Sequence, residues 1–276
     1  MNRIGLIAGG GQFPILFAKA AAAKGCGVWA AALVGEADPA LAQLVTAIEW
    51  VRLGQVGKLI RFFTRNAIGE AVMLGSVTKT KLFTDVRPDF KALALVVRMA
   101  HTHDDGILRS FAGALEKEGI RIKASTLLLP ELLAPAGCWT KRRPNAAEKA
   151  DMDLGWRIAK QIGALDVGQC VVVGGGSVLA VEAIDGTDAT IRRGAGLGKG
   201  HAVVVKVCKP NQDLRFDMPA VGVQTIATMT AAGATALMIE AQKAVVFDRD
   251  QMIRLAESAQ ISIVARQDDG PTGEDQ

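Results

Sequence analysis

The sequence predicts two α/β domains joined by a linker. In the first half, short apolar runs alternate with segments of helical period, which is typical of a parallel sheet covered by helices. A break with three prolines and a basic cluster then precedes a second half of different pattern. The expected domains are residues 1–130 and 150–276, with a linker over residues 131–149. The polar tail after Gln267 is expected to be disordered.

The first domain is predicted to be Rossmann-like because its strands and helices alternate. Its predicted strands are Arg3–Ala8, Gly27–Leu33, Ala71–Leu74 and Ile120–Ala124. Its predicted helices are Pro14–Lys24, Val56–Asn66, Asp89–Ala100 and Asp105–Glu118. Pro14 suits the first helical turn, whose amides need no intrahelical partner, and Gly119 suits the position after a helix end.

The second domain begins with a predicted hairpin, because two apolar runs flank the glycines at 174–176. Further strands are expected at Ala202–Val207, Ala236–Glu240, Ala244–Val246 and Ile261–Ala265. Helices are expected from Thr187, from about Val223 to Gly233, and from a cap at Asp248 to about Ala259.

Composition favours a globular protein that binds an anion. Of 276 residues, 50% are hydrophobic and 22% charged, which excludes a disordered chain. The chain has neither an apolar run of about 18 residues nor a secretory pattern, so we expect a cytoplasmic protein. Its four cysteines have no C-x-x-C spacing and are expected to be reduced. The net charge of +4 suits an anionic small molecule or membrane surface. No nucleic-acid-binding motif is present, and we expect no nucleic-acid partner.

The turn between the first strand and helix reads GGGQFP. Gly9, Gly10, Gly11 and Gln12 predict a phosphate cradle, because amides at a helix N-terminus attract anions. The pattern differs from the dinucleotide-binding motif G-x-G-x-x-G, since Pro14 stands where the third glycine is expected. A tight turn without a ligand remains the alternative.

Acidic residues crowd the segment VEAIDGTD. Glu182, Asp185 and Asp188 follow a predicted strand, and Thr187 begins a predicted helix. Carboxylates on such a turn suit a hard divalent cation, while helix amides suit phosphate oxygens. A simple helix cap by Thr187 or Asp188 would explain the same residues.

Two further segments carry charged residues. The loop KPNQDLRFDMP contains Lys209, Arg215 and Asp217, whose mixed charges suit phosphoryl transfer, although a solvated loop is the alternative. The segment HTHDDG contains His101 and His103, but adjacent ligands on one loop are sterically awkward. We expect its aspartates to cap the following helix.

Taken together, GLIAGGGQFP, VTKTKLF, DDGILRSFAGALEKEGI, LLAPAGCWTKR, DVGQCVVV, VLAVEAIDGTDATIRR, KVCKPNQDLRFDMPAVG and TAAGATALMIEA resemble the UDP-2,3-diacylglucosamine pyrophosphatase family of LpxI type. The resemblance runs in order from Ile4 to about Ala265. It implies hydrolysis of the diphosphate of UDP-2,3-diacylglucosamine to UMP and 2,3-diacylglucosamine 1-phosphate (lipid X) in lipid A biosynthesis. It also implies a Mg²⁺ cofactor, a homodimer and a peripheral contact with the inner membrane surface.

The resemblance also implies site residues. The implied catalytic residues are Asp217, Asp188, Lys209 and Thr187, with Mg²⁺ held by Asp217 and Asp188. The implied substrate-binding residues are Gly9, Gly10, Gly11, Gln12, Gln169, Thr187 and Gln224. This chain departs from the family pattern at Asp185, where a glutamate is expected, at Met218, where a leucine is expected, and at His101 and His103.

Two other functions remain as alternatives. A nucleotide-dependent oxidoreductase would use the glycine loop, but Pro14 and the lack of an acidic residue about 20 positions later weaken it. A non-enzymatic lipid or nucleotide carrier would not need the acid-rich turns.

Overall fold

The computed structural model of the protein describes residues 2–77, 89, 104–216 and 218–268. The chain divides into two compact units. The first is Met1–Pro130 with Asp213–Asp217, and the second is Glu131–Gln212 with Met218–Gln276. Both units contain parallel strands and helices, which confirms the predicted α/β class. Within the described ranges, no helix is long and apolar enough to cross a membrane.

The sheet of the first unit has five strands in the order β3-β2-β1-β4-β5, and every neighbouring pair is parallel. The strands are β1 (Arg3–Ala8), β2 (Gly27–Leu33), β3 (Ala47–Val51), β4 (Glu70–Leu74) and β5 (Arg121–Ile122). The sequence analysis missed β3, since this edge strand is mostly half-buried and includes Glu49, so it forms no continuous apolar run. The fourth predicted strand is shorter than expected, with two residues.

Helices of the first unit are α1 (Phe13–Ala23), α2 (Val56–Arg65) and α3 (Asp104–Lys117), and Pro39–Gln43 forms a 3₁₀ helix. The predicted helix Asp89–Ala100 lies outside the described residues except for Asp89, whose carboxylate accepts a hydrogen bond from the amide of Gly57 at 2.6 Å. His101 and His103 also lie outside the described residues. The apolar faces of α2 and α3 pack on the sheet through Phe63 and Leu115, which are fully buried.

The sheet of the second unit has six strands in the order β6-β13-β11-β9-β7-β8. They are β6 (Gly137–Cys138), β7 (Cys170–Gly174), β8 (Ser177–Val181), β9 (Ala202–Lys206), β11 (Ala234–Glu240) and β13 (Ser262–Arg266). Strands β9, β11 and β13 are parallel, while β7 runs opposite to both β8 and β9. The glycines at 174–176 connect β7 to β8 as the predicted hairpin. A separate parallel pair is formed by β10 (Ala220–Val221) and β12 (Val245–Val246).

Four helices cover this sheet, and they are α4 (Ala146–Ala164), α5 (Thr187–Gly198), α6 (Val223–Ala232) and α7 (Arg249–Ser258). Helix α4 packs on one face through Met152 and Trp156, while the other three contribute to the core on the opposite face. Asp248 occupies the N-cap position of α7 with φ of 49°, but its side chain makes no capping hydrogen bond. The predicted side-chain cap is therefore wrong.

The segment 131–149 is part of the second unit rather than a free linker. Its strand β6 pairs with β13 at the edge of the sheet. Arg142 donates to Glu148 at 2.6 Å and to the hydroxyl of Ser262 at 2.6 Å. Asn145 and Glu148 form a capping box that begins α4. The basic cluster resembled a solvent-exposed linker in the sequence because nothing near Arg142 indicates its hydrogen bond to Ser262, which is 120 positions away.

A short return of the chain to the first unit was also missed. Residues 213–216 belong to that unit, where Arg215 forms an ion pair with Glu116 at 3.1 Å. Phe216 packs against the core of the first unit. The loop 209–219 was assigned wholly to the C-terminal domain, because pairing with α3 leaves no signal in the loop's own sequence. At the chain end, the expectation of a disordered tail falls outside the described residues from 269 onward.

Candidate active site

Polar residues of the second unit gather at one edge of its sheet. Strands β8, β9, β11 and β13 all point toward this edge, and the antiparallel β7 begins there. Residues that follow β8 and β9 are therefore neighbours of Gln169, which precedes β7. The backbone shows this directly, since the amide of Val207 donates to the carbonyl oxygen of Gln169 at 2.9 Å. In open α/β sheets, ligands bind outside the carboxyl ends of the strands, so this carboxyl edge is the candidate site.

Glu182 organises the edge by joining two predicted site residues. One oxygen of its buried carboxylate accepts a hydrogen bond from the amide of Gln169 at 3.1 Å. The other accepts from the hydroxyl of Thr187 at 2.8 Å. The approach is close because residue 168 is glycine, where an added Cβ would lie 2.2 Å from the carbonyl oxygen of Glu182. The structure thus brings Gln169 and Thr187 together through one carboxylate.

The two aspartates at the acidic turn before α5 differ in their hydrogen bonds. Asp185 accepts hydrogen bonds from the side chain of Arg193 and the amide of Ala183. The Arg193 hydrogen bond is the main cause that lowers the pKa of Asp185 below its usual value. Asp188, in the first turn of α5, makes no such pair with a described residue. Helix α5 has Gly186 at its N-cap with φ of 80° and no capping side chain, so the cap alternative does not explain these residues.

Lys209 follows β9 in a loop that is fixed by hydrogen bonds. Its amide donates to the side-chain oxygen of Gln212 at 3.0 Å, and the preceding amide of Cys208 donates to the buried carboxylate of Glu240 at 2.9 Å. The ammonium of Lys209 pairs with Asp166 at 2.5 Å, and both side chains are largely buried. Its charge is therefore balanced by a carboxylate that the sequence analysis did not single out.

Three charged side chains around the site influence the pKa of the buried Cys170 thiol. Burial is the largest cause that raises its pKa, and the negative charges of Glu182 and Asp188 raise it further. The positive charge of Lys206 acts in the opposite direction. Both carboxylates and this ammonium therefore lie close enough to one buried atom to influence its ionisation.

The oxygen donors of this edge fit a magnesium ion only as a partial ligand set. Within the described ranges, no group of three or more acidic, histidine or cysteine side chains is placed to hold a metal. Asp188 forms no hydrogen bond or ion pair through its carboxylate with another described residue, and Oε1 of Gln169 is buried without a described hydrogen-bond partner. Mg²⁺ commonly takes one or two protein carboxylates and completes its octahedron with waters and substrate phosphates. These two side chains fit that mode.

The glycine loop of the first unit differs from the expected phosphate cradle. The amide of Gly9 donates to the carbonyl oxygen of Leu74 at 2.8 Å, and that of Gly10 to Ser76 at 2.8 Å. These two amides are therefore not free, contrary to the prediction. A Cβ at Gly9 would lie 2.5 Å from the Ser76 carbonyl oxygen, so close backbone packing explains this glycine. Only the portion from Gly11 onward remains for a ligand.

The sequence is similar to known proteins over nearly its whole length. The sequence model of the LpxI N-terminal domain matches residues 3–132, and that of the LpxI C-terminal domain matches residues 135–264. The chain belongs to the LpxI family. A relative from Caulobacter vibrioides, named UDP-2,3-diacylglucosamine pyrophosphatase LpxI, is 35% identical over 268 residues, which cover 93% of this chain and 95% of the relative.

Solved structures offer weaker similarities to this LpxI-family chain. CobK precorrin-6A reductase is 12% identical with a TM-score of 0.34, and the match covers 97% of this chain and 88% of that protein. The biotin carboxylase domain of a single-chain bacterial carboxylase is 14% identical with a TM-score of 0.27, covering 62% and 36% of the two chains. Scores this low do not establish a common fold.

Two further residues implied by the LpxI resemblance either form no described hydrogen bond with this cluster or lie outside the described ranges. Asp217 is outside the described residues. Gln224 is exposed near the start of α6, and its described side-chain partner is Thr228 on the same helix, at 3.4 Å. Sequence reasoning noted Glu182 but did not select it, and it missed Asp166 and Lys206. Lys206 had one available signal, since it ends an otherwise apolar strand, AVVVK.

Proposed function

We propose that this LpxI-family protein hydrolyses the diphosphate of UDP-2,3-diacylglucosamine to UMP and 2,3-diacylglucosamine 1-phosphate, in lipid A biosynthesis. The observation that carries the proposal is the 35% identity, over 93% of the chain, to a relative named for that pyrophosphatase activity. The polar carboxyl edge of the second sheet supports it, because it offers hydroxyl, amide, ammonium and carboxylate groups of the kind that phosphoryl chemistry uses.

The glycine loop gives the oxidoreductase alternative no support. The amides of two of the three glycines donate to backbone carbonyl groups at the end of β4 and just after it, and this leaves less of the loop for a dinucleotide. A non-enzymatic carrier would not need the Asp188 carboxylate, which forms no ion pair with a described residue. Hydrolysis gives that carboxylate a role.

In this proposal, Asp188 and Asp217 hold Mg²⁺, with Oε1 of Gln169 as a further oxygen donor. When bound, the ion would polarise the diphosphate toward attack by water. Thr187 presents its amide to a phosphoryl oxygen at the start of α5, while its hydroxyl remains bonded to Glu182. Lys209 stabilises the charge that develops on the phosphoryl oxygens. Since Lys209 is paired with Asp166, this contact requires the ammonium to share its hydrogen bonds between the two.

Release of UMP from purified UDP-2,3-diacylglucosamine tests the proposal. We expect turnover with added Mg²⁺, less with Zn²⁺, and none after exhaustive treatment with EDTA, because the proposed ligands are hard oxygen atoms. Full turnover after chelation would remove the metal from the proposal. Absence of UMP release under all conditions would overturn the proposed activity itself.

A matched pair of variants tests the assignment of the carboxylates. Asp188→Asn should lower turnover strongly, whereas Asp185→Asn should change it little, because Asp185 is already paired with Arg193. Asp217→Ala should lower turnover by roughly two to four orders of magnitude with substrate binding retained. Equal effects of the first two variants would mean that charge on the turn matters, but not Asp188 in particular.

We also propose a cytoplasmic homodimer that touches the inner membrane surface through its lipid-linked UDP-sugar substrate. The support is the family resemblance and the net charge of +4. Light scattering coupled to size-exclusion chromatography tests the dimer. Flotation with anionic and neutral vesicles tests the membrane contact, which should be lost in neutral vesicles and at high salt.

A further inference from the structure

Lys206 is a buried cation at the candidate site that the family resemblance did not assign. It is the last residue of β9 and only 8% exposed. Its register partner on the neighbouring strand is Cys170, the residue after Gln169. Side chains alternate along a strand, so Lys206 shares the face of Ala202 and Val204, which is the face covered by α5, α6 and α7.

The described partner of its ammonium is neutral. Nζ of Lys206 donates to the carbonyl oxygen of Ala220 at 2.9 Å. Among the residues that the structure describes, no carboxylate forms an ion pair with it. An ammonium has three donors, so one carbonyl leaves two of them for another acceptor. A buried charge without a counter-charge is costly, and binding an anion would offset that cost.

The described charged groups around this face do not form an ion pair with Lys206. The amide of Glu182 donates to the carbonyl oxygen of Cys170 at 2.9 Å, and Cys170 is the register partner of Lys206, so Glu182 lies near the lysine. Glu182, however, is committed to Gln169 and Thr187 through its two oxygens. Asp188 lies in the first turn of α5, where its carboxylate is available to a metal ion. The lysine therefore has open donors beside the groups proposed to hold a diphosphate.

We propose that the ammonium of Lys206 is an anion-binding contact of this site and that it donates to a phosphoryl oxygen of a nucleoside diphosphate. The proposal rests on the proposed function for the class of anion. It assigns the lysine a role that Lys209 cannot fill alone, because Lys209 is already paired with Asp166. Lys206 keeps its bond to Ala220 in the complex, which holds the donor in place.

Binding of UDP, measured by isothermal titration calorimetry, tests the proposal without a need for turnover. Lys206→Met should lower the affinity for UDP on the order of tenfold or more, the usual scale for a hydrogen bond to a charged group. Affinity for uridine, which lacks phosphate, should be unchanged. Lys243→Met is the matched control, because it removes a positive charge near the same edge from a lysine already paired with Glu240. It should retain UDP affinity within about twofold.

Each outcome bears on the proposal. Lys206→Gln keeps a donor for the Ala220 carbonyl and replaces the methionine variant if that variant does not fold. A folded neutral variant with the parent's UDP affinity would overturn the proposal and would leave Lys206 as a structural partner of the chain alone. Failure of the parent to bind UDP would overturn the assigned anion class. A parent that binds UDP but releases no UMP from UDP-2,3-diacylglucosamine would overturn only the proposed function.

Discussion

Replacing Glu182 should remove the two hydrogen bonds that join Gln169 to Thr187 in the candidate site. In Glu182→Ala, the amide of Gln169 and the hydroxyl of Thr187 lose their shared acceptor, and both bonds involve a charged, buried carboxylate. Hydrogen bonds to charged groups contribute about 1.5 to 3 kcal/mol each, so the two together predict a loss of about 3 to 5 kcal/mol after partial relaxation. For a domain of this size, that loss corresponds to roughly 10 °C in melting temperature.

Glu182→Gln is the matched variant, because its amide keeps one acceptor for Gln169 and offers a donor to the Thr187 hydroxyl, which can rotate to accept. We expect a loss of only about 1 kcal/mol. Circular dichroism during heating and urea unfolding would measure both variants, and UMP release would show whether turnover falls with the geometry. An alanine variant that melts within about 1 °C of the parent would refute the argument that Glu182 organises this edge.

Three other perturbations follow from the structure. Gly9→Ala should destabilise the first unit more than Gly11→Ala, because the added methyl carbon at position 9 would lie 2.5 Å from a backbone oxygen. At position 11 the methyl group would meet no atom, and the cost would come only from the φ of 86°, which is unfavourable for alanine. Urea titrations of both variants would measure the difference. Burial opposes ionisation of Glu148, but hydrogen bonds led by that from Arg142 outweigh it and hold its pKa below the usual 4.5. Its contribution to stability is therefore present above about pH 4.5 and lost as the pH falls through the lowered pKa, so Glu148→Gln should flatten the acid end of the stability curve measured by chemical denaturation. Burial raises the pKa of the Cys170 thiol, so this residue should react with a thiol reagent only after unfolding; mass spectrometry showing rapid modification of Cys170 in the native protein would contradict its burial.

Local sequence patterns predicted much of the secondary structure. Strands β1 and β2 match their predicted bounds, because fully buried parallel strands form continuous apolar runs. The glycines at 174–176 predicted the hairpin, since two of them, Gly175 and Gly176, adopt the positive φ that the turn requires. The edge strand β3 was missed because half-buried residues produce no such run.

Local sequence also located the acidic turn and the Lys209 loop, but not the partners of their side chains. Lys209 and Asp166 are 43 positions apart, and no pattern around either residue predicts that they pair. The amides of Gly9 and Gly10 were predicted to be free, yet they bond to a segment more than 60 positions away. A partner at that distance is chosen by how strands and loops are placed, so local spacing cannot identify it.

The α/β class and most strands and helices could be predicted from the amino-acid sequence, and the family could be predicted from a resemblance over nearly its whole length. These follow from apolar periodicity, turn residues and ordered motifs, all of which are local properties of the chain. The hydrogen bonds of Glu182 to Gln169 and Thr187, and the burial of Lys206 beside them, could be found only in the folded structure. The physical reason is that sheet order and register bring the ends of β7, β8 and β9 to one edge, and residues far apart in the chain become hydrogen-bonded neighbours there.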